Sequence, residues 1–119
     1  MEKTIVELFA GVGGFRLGFE GSNPNWKTLF ANQWEPNKKN QFAYNCYEGN
    51  FKDKGGITPF SNTDIAEVPI SEIPSSTVLV GGFPCQDYSV ASTGAAGIHG
   101  KKGVLWWEIE KIVKANKMP

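Results

Sequence analysis

Two short apolar runs in this chain each break off into a glycine turn. The first is Thr4–Phe9, in which Ile5, Val6, Leu8 and Phe9 are apolar and Glu7 is the exception; Ala10-Gly11-Val12-Gly13-Gly14-Phe15 follows it. The second is Thr77–Gly82, with the run Val78-Leu79-Val80, and Phe83-Pro84-Cys85-Gln86 follows it. Short continuous apolar runs bounded by turn signals read as buried strands of a parallel sheet. In open α/β sheets the chemistry sits outside the carboxyl ends of such strands. One turn lets backbone approach a ligand closely. The other carries a thiol behind a proline, whose fixed φ makes a stiff mount.

The rest of the chain alternates in the same sense. Phe15–Glu20 begins a short helix that stops at Gly21-Ser22-Asn23-Pro24. Thr28–Trp34 reads as a second strand. Pro36 suits the first turn of a helix running to Cys46 or Tyr47, with Phe42, Ala43, Cys46 and Tyr47 on one face. Residues 49–63 read as a long surface loop, and Asp64-Ile65 as the close of a short third strand. Val68–Ser76 holds two prolines and reads as irregular, and 86–103 as a mobile glycine-rich loop. Gly103 to Asn116 reads as a helix with Leu105, Trp106, Ile109, Ile112 and Val113 at helical spacing. The predicted fold is α/β: a partial doubly wound, Rossmann-like, mostly parallel sheet missing its C-terminal strands. The chain stops after the helix that follows strand four, so strand four is expected at an apolar edge. The expectation is one piece of a split or truncated protein.

Length and composition limit the partners. A chain of 119 residues makes one domain. The net charge is zero and the predicted pI about 6.6, so any nucleic-acid grip must come partly from elsewhere. No apolar run approaches membrane-spanning length, and Met1-Glu2-Lys3 opens no signal peptide. Cys46 and Cys85 show no metal-ligand spacing, so no metal site is expected, and a free thiol suits a reduced, cytoplasmic setting.

Individual residues allow two readings each. The turn Gly11–Gly14 is either an ordinary turn or a ligand cradle at a helix N-terminus; Arg16 stands where the dinucleotide fingerprint has its third glycine. Gln33-Trp34-Glu35 ends the second strand, where a polar group meets ribose hydroxyls in nucleoside-binding folds. Glu35 would equally favour the dipole of a helix starting at Pro36, and Trp34 could pack on a flat ring. Asp64 is either a turn aspartate or an acceptor for an adenine amino group. Cys46 fits a buried, inert thiol. Cys85, between Pro84 and polar Gln86-Asp87, reads as a nucleophile. His99 is a base candidate or a solvated loop histidine.

Phe9-Ala10-Gly11-Val12-Gly13-Gly14-Phe15 and Gly82-Phe83-Pro84-Cys85-Gln86 resemble the first and fourth motifs of the DNA cytosine-5 methyltransferases. Asp64-Ile65 resembles the third motif and Gly103-Val104-Leu105-Trp106 the fifth, in the family's order across nearly the whole chain. The resemblance implies that Cys85 attacks carbon 6 of a cytosine flipped out of double-stranded DNA, and that carbon 5 then takes a methyl group from S-adenosylmethionine. It implies that Phe9, Ala10, Gly11, Gly13, Gly14 and Phe15 form the turn around the methionine part of the cofactor. By the same resemblance Trp34 packs on the adenine, Asp64 and Ile65 hold its edge, and Leu105 lines the pocket. Phe83, Pro84 and Gln86 would shape the cytosine pocket, and Ser89 would contact phosphate.

Two departures stand out. The family's ribose-binding glutamate aligns with Gln33, which leaves the ribose to Gln33 or to Glu35. The Glu-Asn-Val motif, the later arginine motif, the recognition region and the C-terminal cofactor motif have no counterpart in residues 1–119. The expected activity therefore needs a complementary C-terminal polypeptide or half. The alternatives are a nucleoside-cofactor-binding module with a structural Cys85 and a dehydrogenase-like half domain; Arg16 and Pro84-Cys85-Gln86 speak against the last.

Overall fold

The computed structural model describes residues 2–36, 38–51, 59–82 and 104–116. Its elements run β1 (Thr4–Leu8), α1 (Gly14–Ser22), β2 (Lys27–Asn32), α2 (Phe42–Phe51), β3 (Phe60–Ser61), two short 3-10 turns (Ile65–Glu67 and Ile70–Glu72), β4 (Val78–Gly81) and α3 (Val104–Ala115). The four strands form one parallel sheet in the order β3-β2-β1-β4. Strands one and two lie side by side, and the chain then returns to the far side of β1 to lay down β4. The reversal of strand order falls between β1 and β4, the place where open α/β sheets bind ligands.

The central strand, β1, is paired on both sides: Leu8 lies opposite Asn32 of β2 and Gly81 of β4. Its alternating side chains feed two cores. Val6 and Leu8 join Phe30, Ile65, Val68, Ile73 and Ile112, which places the 3-10 turns and α3 on one face. Ala31 and Ala10 join Tyr47 and Phe51 of α2. Glu7 reaches Tyr47, so it shares this second face. Helices thus cover both faces of the sheet, as the doubly wound expectation requires. Among the described residues β4 pairs only with β1, and its Val78, Leu79 and Val80 are half-buried. This is the apolar edge the strand pattern predicted.

Two expected elements moved, and one of them buries a different face. The helix expected from Pro36 begins at Phe42 and runs to Phe51, into the stretch read as loop. The cause is Gln41. Its amide oxygen accepts from Glu35 N–H (2.8 Å), and its amide nitrogen donates to Glu35 O (2.8 Å) and Lys38 O (2.9 Å). This side chain–backbone closure replaces the helical ladder, and it leaves Glu35 with no helix to cap. The apolar face of α2 also differs. Tyr47 and Phe51 are buried, whereas Phe42 is 70% exposed and Cys46 is exposed rather than inert in a core. Tyr44 stacks on Phe60 at 4.5 Å and Tyr47 meets the same ring at 4.1 Å, so aromatic packing on β3 selects the buried side. The third strand is Phe60–Ser61, not Asp64-Ile65. Asp64 instead caps a 3-10 turn, its Oδ1 accepting from Ala66 N–H at 3.0 Å, and Ile65 sits in the core.

Candidate functional site

The turn after β1 places three alternate residues in left-handed backbone. Phe9 has φ 52°, Gly11 φ 60° and Gly13 φ 98°. A phenylalanine in this region is strained and persists only where its surroundings hold it; Phe9 packs against the first core. The turn is pinned by Ala10 N–H to Asn32 O (3.0 Å), Gly13 N–H to Ala10 O (3.1 Å) and Asn50 Nδ2 to Val12 O (3.2 Å). Gly14 then opens α1, whose first ladder bond runs from Leu17 N–H to Gly13 O at 2.9 Å. The amino end of a helix therefore lies at the carboxyl end of the central strand, a favourable place for an anionic group.

The two left-handed glycines do different things. A Cβ on Gly13 would lie 2.2 Å from Phe51 Cε2, so the turn there is packed shut against α2. Among the described residues a Cβ on Gly11 would meet nothing within 4 Å. Gly11 therefore borders open space among them where Gly13 does not; the sequence pattern treats the two alike. Phe15 is exposed beside the turn.

The carboxyl end of β2 lies next to this turn. Gln33 Oε1 accepts from Gly11 N–H at 2.8 Å. Trp34 is exposed and Glu35 half-buried. Beyond it, Asn32 is buried, and its Nδ2 donates to Ser61 Oγ (3.0 Å) and Thr63 O (2.8 Å), which holds the segment leading to Asp64 beside β2. Ile65 is 3% exposed, so only its backbone can face a ligand. Phe9–Phe15, Gln33–Glu35 and Asp64 thus gather at one end of the sheet, where Gly82 also leaves β4. Leu105 lies in the first turn of α3. Phe83, Pro84, Cys85, Gln86, Ser89 and His99 lie outside the described residues.

Sequence reasoning missed the groups behind the turn. Glu7 is fully buried and accepts from Tyr47 Oη at 2.8 Å, while its Oε2 has no hydrogen-bond partner among the described residues. Burial raises its pKa above the ordinary carboxylate value, against the pull of the Tyr47 hydrogen bond and of Arg16. Tyr47 is pushed upward too, by burial first and then by the Glu7 charge. Arg16 is 5% exposed, pairs with Glu20 (2.7 Å) and lies over the Phe51 ring at 4.5 Å. It fills the place of the absent third glycine with a stacked cation. The signal was present: an acid within an apolar strand and a lone arginine two residues into a helix both need buried partners. Gln41, Asn62 and Asn32 carried no such signal, because their partners are backbone groups fixed only by the fold.

A half of a doubly wound sheet with a left-handed glycine turn at its switch point defines the class: a Rossmann-like α/β fold with a ligand crevice at the strand ends. Within that class the chain belongs to the C-5 cytosine-specific DNA methylase family, whose family model matches residues 3–119. It is 52% identical over 120 residues to the type II methyltransferase M.Sau3AI of Staphylococcus aureus, an alignment covering 97% of this chain and 28% of the relative. M.HaeII of Haemophilus aegyptius is 40% identical, with 98% of this chain and 32% of the relative covered. M.HhaI of Haemophilus parahaemolyticus is 33% identical, with 95% and 30% covered. The chain spans about 30% of the length of these relatives. Among the described residues no cluster of His, Cys, Asp and Glu could hold a metal, and no helix is long and apolar enough to cross a membrane.

Proposed function

We propose that residues 1–119 are the cofactor-binding and nucleophile-bearing part of a DNA cytosine-5 methyltransferase catalytic domain of the restriction-modification kind, working in the cytoplasm on double-stranded DNA. The observation that carries the reading is the gathering of Phe9–Phe15, Gln33–Glu35 and Asp64 at the end of the sheet where β4 ends at Gly81, four residues before Cys85 in sequence. S-adenosylmethionine fits this set: the open side of Gly11 gives it room, and the amino end of α1 suits its carboxylate. Phe9, Ala10, Gly11, Gly13, Gly14 and Phe15 would hold its methionine part, with Gly13 acting through the shape of the turn. Trp34 would cover the adenine, Asp64 and the Ile65 backbone would meet its edge, and Gln33 or Glu35 its ribose, with Leu105 closing the pocket.

When bound, S-adenosylmethionine supplies the methyl group that an activated carbon 5 takes up. Cys85 does the activating. Its thiolate adds to carbon 6 of the flipped cytosine and pushes the electron pair to carbon 5. After methylation a base removes the carbon 5 proton, the electron pair re-forms the ring double bond, and the thiolate leaves. Phe83, Pro84 and Gln86 would shape the cytosine pocket and Ser89 would take a phosphate. Recognition of a DNA sequence, and the acid near the cytosine ring nitrogen, would come from a complementary C-terminal polypeptide or half, for which the half-buried edge of β4 is a seat.

In the full polypeptide or complemented enzyme, Cys85→Ser should abolish methyl transfer from labelled cofactor to cytosine-containing DNA and leave cofactor binding nearly unchanged. DNA carrying a thiol-trapping cytosine analogue should form a covalent adduct with that enzyme and none with its Cys85→Ser variant. Cofactor binding without any adduct would identify a binding module instead.

A further inference from the structure

We propose that Gln33 is a positioning residue: its amide oxygen latches the glycine turn through Gly11 N–H, so that this position sets the shape of the cofactor crevice before any ligand arrives. The inference rests on the cofactor reading above. It differs from a ribose contact, because the bond it names is inside the protein.

The geometry fixes both ends of the latch. Gln33 N–H donates to Ser61 O at 3.0 Å and Asn62 Nδ2 donates to Gln33 O at 2.7 Å, so its peptide is held on the β3 side by two bonds. Its side chain then spans to Gly11, 22 residues earlier in sequence, at 2.8 Å. Gly11 N–H can only donate, so Oε1 must be the acceptor and the orientation of the amide is determined. The Nε2 hydrogens have no partner among the described residues and remain for a ligand that accepts.

Gly11 needs such a tie. It is left-handed, and the space where its side chain would stand is open. Among the described residues no van der Waals contact on that side holds it in place. The latch also belongs to a chain of neutral carboxamides. Asn62 Nδ2 reaches Gln41 Oε1 at 3.1 Å, Gln41 closes the loop after Glu35, and Asn32 holds Ser61 and Thr63. These groups tie the carboxyl ends of three strands together with no titratable member. A carboxylate at position 33 would keep the latch and add a charged acceptor.

The test uses the full polypeptide and two variants, Gln33→Leu and Gln33→Glu. Hydrogen exchange of the peptide containing Gly11 should speed up without ligand in Gln33→Leu and stay near native in Gln33→Glu. Titration with S-adenosylhomocysteine should show about a tenfold loss of affinity in Gln33→Leu, the scale of one hydrogen bond. The analogue lacking both ribose hydroxyls should show the same loss. Unchanged Gly11 exchange in Gln33→Leu, or a loss that vanishes with the analogue, overturns the latch. If the native protein binds neither compound the cofactor reading fails, while the exchange experiment still decides the latch.

Discussion

The glycine turn after β1 is flanked by two polar groupings that are built on opposite principles. On the α2 side, Glu7, Arg16 and Tyr47 are buried and ionisable, and Glu7 Oε2 lacks a partner among the described residues. On the rim side, Asn32, Gln33, Gln41 and Asn62 are neutral, and each makes at least one hydrogen bond to backbone. Charge tolerates burial only at a cost in desolvation, and here it is offset by aromatic packing that leaves Gly13 no space. Carboxamides carry donor and acceptor together, so they can link several backbone segments without that cost. One side shapes the turn by volume, the other by hydrogen bonds.

The largest effect should come from breaking the packed side. Gly13→Ala forces a Cβ into the Phe51 ring at a left-handed position and should cost about 3 kcal/mol, read as a large fall in melting temperature. A stability near native would mean that α2 yields easily and that volume does not shape the turn. On the rim, Asn32→Ala removes a buried donor that serves Ser61 and Thr63. It should cost about 2 kcal/mol in denaturant titration; a loss within error would place the β3 end under other control.

Gly11→Ala sharpens the contrast with Gly13. Its Cβ meets open space, so only the backbone penalty of about 1 kcal/mol applies. Cofactor affinity should nevertheless fall, because the methyl group enters the crevice; calorimetry showing native affinity would move the ligand elsewhere. The smallest effect is a gain. Glu7→Gln keeps an acceptor for Tyr47 and carries no charge at any pH, and should stabilise the fold at pH above the raised Glu7 value. The sign follows from the raised pKa of Glu7. The folded chain holds the proton to higher pH than the unfolded one, so this contribution is present below the ordinary glutamate pKa and is lost as pH rises through the raised value. Melting curves across that window should slope downward in the native protein and flatten in Glu7→Gln. A slope retained in the variant would assign the dependence to another group.

The strand and turn order was legible because it rests on local signals. Apolar runs at Thr4–Phe9 and Val78–Val80, glycines after the first, and the stop at Asn23-Pro24 each act within a few residues. The same signals placed Phe9–Phe15 and Gln33–Glu35 at strand ends. The start of α2 was not legible, because Pro36 offers a helix locally and the competing bonds of Gln41 to Glu35 and Lys38 form only in the folded loop. The exposure of Cys46 and Phe42 followed from Phe60, a partner that no helical period reveals.

The sequence by itself determined the alternation of elements, the family and the identity of the residues at the strand ends, because these depend on pattern and order along the chain. Tertiary structure decided what each residue touches. It made Gly13 a packing position and Gly11 an open one, buried Glu7 against Tyr47, and turned Gln33 toward Gly11 across 22 residues. Those outcomes come from segments distant in sequence competing for the same space and the same backbone hydrogen bonds.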